Sequence, residues 1–262
     1  MIGAIAGDII GSVYEADPIK TTDFPLFSKG SRFTDDTVLT AATAHAILEG
    51  TGYAEAYRML ARRYPDRGYG ASFQRWLIRD DAPAYGSYGN GAAMRVSPIG
   101  WAFDTVDRVL GEAEKSAMVT HDHPEGIKGA KATALVVFMA RKGARKKAIR
   151  SKIESLFHYD LSRAVDDIRP EYGFRISCQE TVPEAIIAFM DSVDFESAIR
   201  HAVSLGGDSD TLACIAGGFA EAFYGGVPDT IESESRMRLP AAIRGILDRF
   251  EGRHPCHRPR TG

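Results

Sequence analysis

Two short acidic segments, in opposite halves of a chain of 262 residues, share one pattern: Thr34-Asp35-Asp36-Thr37 and Asp208-Ser209-Asp210-Thr211. Each presents two carboxylates and a threonine hydroxyl just ahead of a run of small and apolar residues. Hard oxygen donors of this kind suit Mg²⁺ or Mn²⁺, and four convergent carboxylates suit two ions better than one. Each segment alone also suits a helix N-terminus, where Thr and Asp satisfy free N–H groups and the helix dipole favours negative charge. Finding the pattern twice makes a shared site for two divalent cations the stronger expectation.

Helices must position these segments, because the apolar period is helical almost throughout. Residues 36–49 carry Val38, Leu39, Ala42 and Ala46 on one face and stop before Gly50. Residues 53–64 repeat the habit and end before Pro65. Pro124 suits a first helical turn, and Ile127, Ala134, Leu135 and Phe138 follow before Gly143. Pro183 is expected to open the run 184–190, Asp194 to cap 195–205, and Pro240 to begin a last helix ending at Phe250. Asp210 and Thr211 lead into a helix over 212–224 that contains Ala216-Gly217-Gly218. Glycine inside a helix costs about 0.5–1 kcal/mol relative to alanine, which is tolerable where two helices must approach closely. Strand-type alternation is missing, and residues 86–91 and Gly206-Gly207 read as glycine-rich loops. The expectation is one compact all-α domain of roughly ten helices, covering 1–251, with a flexible tail over 252–262.

Bulk properties narrow the field. A net charge of −3 points neither to nucleic acid nor to a membrane surface. Cys178, Cys214 and Cys256 have no CxxC spacing and read as reduced thiols of a cytoplasmic protein. The N-terminal run up to Asp8 lacks a basic leader and does not read as a signal peptide, and no apolar run approaches the roughly 18 residues of a membrane span. Arg141, Lys142, Arg145, Lys146, Lys147, Arg150 and Lys152 form a basic cluster, most simply a solvated face. His254, Cys256 and His257 are too few and too close together for zinc.

Five motifs in order carry a family resemblance: Met1-Ile2-Gly3-Ala4-Ile5-Ala6-Gly7-Asp8-Ile9-Ile10-Gly11, Phe33-Thr34-Asp35-Asp36-Thr37, Gly89-Asn90-Gly91-Ala92-Ala93-Met94-Arg95, Thr120-His121-Asp122-His123-Pro124 and Gly206-Gly207-Asp208-Ser209-Asp210-Thr211. The chain resembles the ADP-ribosylglycohydrolases. That resemblance implies a compact orthogonal helical bundle and two Mg²⁺ or Mn²⁺ ions. It also implies cleavage of the glycosidic bond between ADP-ribose and an acceptor, with arginine-linked protein ADP-ribose as the first guess. It carries the ligand role to Thr34, Asp35, Asp36, Asp208, Asp210 and Thr211, with Asp210 as the bridge between ions. Glu15 matches an acidic residue on a loop over the metals, and Asp35 or Asp208 would take a proton from the attacking water. Gly89, Asn90 and Gly91 would offer backbone N–H groups to the diphosphate, and His121 would meet the distal part of the substrate. Tyr85, Tyr88 and Tyr224 are the candidate platforms for adenine. Acceptor selectivity would lie in residues 17–32 and 79–85. Protein-linked, small-molecule and nucleic-acid adducts of ADP-ribose share the half these motifs contact, and a monomer is the default.

Two other readings compete. An HD-type phosphohydrolase would use His121-Asp122 with His45 and Asp166 or Asp191, but it leaves both acidic segments unexplained. An inactive ADP-ribose-binding relative would be expected to lose carboxylates that are intact here.

Overall fold

The computed structural model describes residues 1–256. Among them the chain forms fifteen helices: α1 (Ile2–Gly11), α2 (Asp35–Glu49), α3 (Tyr53–Arg63), α4 (Ala71–Ile78), α5 (Gly91–Met94), α6 (Ser97–Ala102), α7 (Val106–Met118), α8 (Pro124–Arg141), α9 (Lys146–Phe157), α10 (Val165–Ile168), α11 (Cys178–Asp191), α12 (Phe195–Ser204), α13 (Ser209–Tyr224), α14 (Asp229–Met237) and α15 (Ala241–Arg253). The only sheet-like pairing among the described residues is an isolated antiparallel bridge between Gly89 and Ser177. The all-α expectation is met. The additional helices include α5 and α10, four residues each, too short to show a period in sequence.

α1 lies at the centre, with all ten of its residues buried. A helix that is apolar on every side belongs inside a core, and this one packs most extensively on α13. Glycines set the depth of that contact. A Cβ added at Gly7 would stand 2.0 Å from the Ala213 carbonyl oxygen, and one at Gly11 would stand 2.4 Å from that of Ser209. From the other side, a Cβ on Gly217 would meet the Gly3 oxygen at 2.2 Å. The two helices therefore touch backbone to backbone, the close approach that the glycines of α13 imply. Glu221 of α13 clasps the start of α1, accepting from the Gly3 N–H at 2.9 Å and the Met1 ammonium at 2.7 Å. Around this pair, α8 packs on α5, α6, α7, α11 and α13, while α2 packs on α3 and α15.

Three local expectations need correction. Pro183 does not open a helix but sits inside α11, which starts at Cys178. Its missing N–H costs one bond to the carbonyl of Gln179, an exposed residue of the first helical turn. The last helix runs to Arg253, past Gly252 where the tail was expected to begin, and the Cys256 thiol reaches the Glu221 carbonyl at 3.8 Å. His257 and the rest of the tail lie outside the described residues. Finally, part of the basic cluster is structural. Lys146 Nζ donates to the carbonyls of Phe189 (2.8 Å) and Ser192 (2.5 Å) at the end of α11, and Lys142 pairs with Asp104 at 3.0 Å.

Candidate metal centre and binding cavity

The two acidic segments meet at the ends of α2 and α13, and both readings of them hold together. Thr34 caps α2, its hydroxyl accepting from the Asp36 N–H at 3.3 Å, and Asp208 occupies the N-cap position of α13. Thr211 Oγ1 donates to Asp36 Oδ2 at 3.4 Å, which joins one segment directly to the other. Glu15, in the turn that follows α1, completes the cluster: ligand oxygens of Glu15, Asp208 and Asp210 lie within 4.8 Å of one another.

Asp8 is the organising residue that the sequence reading did not assign. It is fully buried in α1, and its carboxylate accepts from the Thr34 N–H (3.0 Å), the Thr34 hydroxyl (2.7 Å), the Thr37 N–H (3.0 Å) and the Thr37 hydroxyl. Four donors to one carboxylate fix the start of α2 against α1. A signal was present, because an aspartate within an otherwise apolar segment must find donors when buried. Thr34 thus gives its hydroxyl to Asp8 and takes a cap bond from Asp36. It is held as part of the scaffold of the cluster.

Among the described residues no basic side chain forms an ion pair with Asp35, Asp36, Asp208 or Asp210, although Arg32 lies near enough to Glu15 to oppose its shift. Burial, then the charge of Asp8, raises Asp35 and Asp36 well above the ordinary carboxylate range. Burial followed by Asp36 and Asp208 does the same to Asp210, and burial with Asp208 raises Glu15. Asp36 Oδ1 is buried with no hydrogen-bond partner. Crowded, desolvated carboxylates with an orphaned oxygen are what a divalent cation would satisfy, so the donor set fits the metal that the sequence suggested. Glu15, Asp208 and Asp210 group closely enough that they could hold one such ion, with Asp35, Asp36 and Thr211 lining the same cavity.

The cluster forms one wall of a cavity of about 470 Å³, a volume ordinary for a small-molecule site. Across it lies the glycine loop. Ser87, Gly89, Asn90, Gly91 and His121 all line the cavity, as do Tyr85, Phe174 and Ile176. Several N–H groups of the loop are already engaged: Gly86 with Asp122 Oδ1 (2.7 Å), Gly89 with Ser87 Oγ (3.1 Å) and Asn90 with the Ile176 carbonyl (2.8 Å). No protein acceptor takes those of Ser87, Tyr88 and Gly91 among the described residues. The Asn90 side chain turns toward the acidic wall, donating to Asp208 Oδ2 at 2.7 Å and to Thr181 Oγ1 at 3.2 Å. Asn90 therefore links the loop to the cluster, a link that its place in a glycine loop did not disclose. His121 is buried, with Nδ1 2.8 Å from Thr120 Oγ1, and burial followed by the charge of Arg95 pushes it well below the ordinary imidazole value. The neighbouring His123 caps α8, accepting from the Glu125 N–H at 3.1 Å.

Of the candidate aromatic platforms, Tyr85 lines the cavity and Tyr224 does not. The Tyr224 hydroxyl is bonded instead to the Ser192 carbonyl at 2.9 Å. Tyr88 is half exposed against His123, with ring centroids 5.3 Å apart. His45, Asp166 and Asp191, which the phosphohydrolase reading needs beside His121, are not among the lining residues, and Asp122 is occupied in holding Gly86.

An all-α fold with two helix-borne acidic segments facing a glycine loop defines the class, and comparison with known proteins gives the family. The ADP-ribosylglycohydrolase family model matches residues 1–255, and the chain belongs to that family. The protein named ADP-ribosylhydrolase ARH3 from Mus musculus is 30% identical over 307 aligned residues, covering 86% of this chain and 82% of the mouse protein. Its Homo sapiens counterpart is 29% identical, with 86% and 84% covered. A solved structure described as an ADP-ribosylglycohydrolase-related protein complex superposes with a TM-score of 0.73 over 97% of each chain, at 24% identity, which shows the shared fold.

Proposed function

We propose that this chain is a divalent-metal-dependent hydrolase that cleaves the glycosidic bond between ADP-ribose and an acceptor. One observation carries the reading: a single cavity has crowded carboxylates on one wall and, on the other, unengaged N–H groups, His121 and the buried guanidinium of Arg95. The first wall suits cations and the hydroxyls of a ribose, and the second suits a diphosphate. When bound, Mg²⁺ or Mn²⁺ would polarise oxygens and lower the pKa of water. The protein's own residues supply the rest. Asn90 fixes Asp208 through Oδ2. The Asp35 carboxylate makes no hydrogen bond to another residue's donor among the described residues, so it is the group free to take a proton from water. Glu15 is exposed at the cavity and holds its proton to higher pH than an ordinary glutamate, which suits it to proton exchange with the departing acceptor.

Glu15 and Asp66 line the cavity together with Arg32 and Arg67, so its charge does not choose the acceptor, and arginine-linked ADP-ribose is simply the first to test. The deciding experiment incubates the protein with arginine-linked, hydroxyl-linked and small-molecule ADP-ribose adducts in Mg²⁺ or Mn²⁺. Release of free ADP-ribose that stops on chelation is expected. Release of inorganic phosphate, or binding without release, would overturn the proposal.

A further inference from the structure

The diphosphate side of the cavity rests on a buried cation with no carboxylate partner. Arg95 is fully buried, with its guanidinium over the Tyr57 ring at 4.3 Å from the centroid. Its Nη2 donates to the Ser116 carbonyl at 2.8 Å and to Thr120 Oγ1 at 2.9 Å, while Nε and Nη1 have no partner. Thr120 is buried as completely, and its Oγ1 lies 2.8 Å from His121 Nδ1. A guanidinium only donates, so the Thr120 oxygen accepts from Arg95 and its own proton must go elsewhere. Two acceptors are in reach, His121 Nδ1 and the Tyr85 hydroxyl. The imidazole nitrogen is the better acceptor, since the phenol oxygen is weakly basic and carries a proton of its own.

We propose that Arg95 and Thr120 are positioning residues that fix the tautomer of His121, by a chain of donation from Arg95 to Thr120 to Nδ1 that leaves the proton on Nε2. That nitrogen lies over the glycine loop: Cβ atoms built on Gly89 and Gly91 would stand 3.4 and 3.2 Å from it. His121 then offers a neutral N–H to an anionic oxygen beside the unengaged N–H groups of the loop. Burial, together with the Arg95 charge, keeps the ring from gaining a second proton. The role as an oxygen-binding donor rests on the loop being the diphosphate site; the tautomer itself does not.

The two are separated by experiment. In ¹⁵N-histidine-labelled protein without ligand, assigned by the signal lost in His121→Gln, His121 is expected to show a protonated Nε2 and a bare Nδ1. Thr120→Val, which keeps the shape and removes the hydroxyl, should abolish the single tautomer and weaken ADP-ribose binding roughly tenfold, the worth of one hydrogen bond. Thr120→Ser should restore both, and Tyr85→Phe should leave the tautomer unchanged. A protonated Nδ1 in the wild type, or an unchanged tautomer in Thr120→Val, overturns the assignment. If Thr120→Val fails to fold, the wild-type spectrum alone decides it. Calorimetry showing no ADP-ribose binding to the wild type in Mg²⁺ overturns the diphosphate role and leaves the tautomer standing.

Discussion

Asp208 and Asp210 belong to one helical turn but are held differently, and that difference orders the effects of changing them. Asp208 Oδ2 accepts from the Asn90 amide, and Asp210 Oδ1 accepts from the Thr211 N–H at 3.0 Å. Asp210 also adjoins Asp36 of the other segment, whose charge is the largest electrostatic influence on it. Asp210→Ala is therefore expected to lower hydrolysis more than the roughly 10–100-fold typical of a group one step removed from a metal. Asn90→Ala, which frees Asp208, should fall within that range. Ser209, between the two aspartates, turns away to the carbonyls of Gly207 (3.2 Å) and Tyr14 (3.3 Å). Ser209→Ala should cost about 0.5–1.5 kcal/mol of stability and little turnover. Release of ADP-ribose under saturating Mg²⁺ gives the ordering, and an Asp210→Ala variant of near-normal activity would displace Asp210 from the site. Asp8→Asn replaces an acceptor of four hydrogen bonds by an amide that cannot receive them all. Its expected cost is about 3–5 kcal/mol in urea unfolding, with cation affinity lost alongside.

Among the helices, the contact of α1 with α13 is where added volume should hurt most. Gly7→Ala puts a methyl into the Ala213 carbonyl, and since both elements are main chain, relief requires the helices to part. Destabilisation of about 3 kcal/mol or more is expected. Gly245→Ala in α15, where nothing lies within 4 Å of the new carbon, should instead stabilise by about 0.5–1 kcal/mol. Thermal melts of the two variants make a matched pair, and equal effects would refute the account. These helices also show what the sequence could convey. Local period and caps were enough for α2, α8, α12 and α13, and the doubled acidic pattern was enough to bring the two segments together. Helix α11 was misplaced at its start because Pro183 is tolerated one turn into it, where only the exposed Gln179 loses a bond. Asp8 escaped assignment, and Asn90 was read only for its backbone N–H, because their side-chain partners are remote in sequence: Thr34 and Thr37 for the first, Asp208 for the second. No local pattern encodes such pairings. Tyr224 illustrates the reverse, an aromatic of suitable type that the fold commits to Ser192 and Lys146.

For the molecule as a whole, two responses to solution conditions follow. Cations that bind the folded cluster and not the unfolded chain should raise the melting temperature, by the equivalent of about 2.7 kcal/mol at 100 times the dissociation constant. Calorimetry detecting no bound Mg²⁺ or Mn²⁺ at millimolar concentration would exclude the site. The second response is to acid. His121 stays neutral in the folded protein below its ordinary value of 6.5, where the unfolded chain takes up a proton. The unfolded state then binds more protons, so stability falls as pH drops from 6.5 toward the folded-state value, by up to about 1.4 kcal/mol per pH unit. His121→Gln should lose that slope in urea titrations compared at pH about 5.5 and 7. No helix among the described residues is long and apolar enough to cross a membrane.

The clasp between Gly3 and Glu221 spans 218 residues. On the ribosome, α1 therefore emerges with α2 long before α13, the helix on which it packs most extensively. Closing so long a loop is entropically slow, and helices that pair late are typical of chains that pass through populated intermediates. Refolding from denaturant should accordingly show a late step in which the α1 amides gain protection together with those of α13. The glycines that let the two backbones touch leave no slack in that step, because any residual gap keeps the main chains apart.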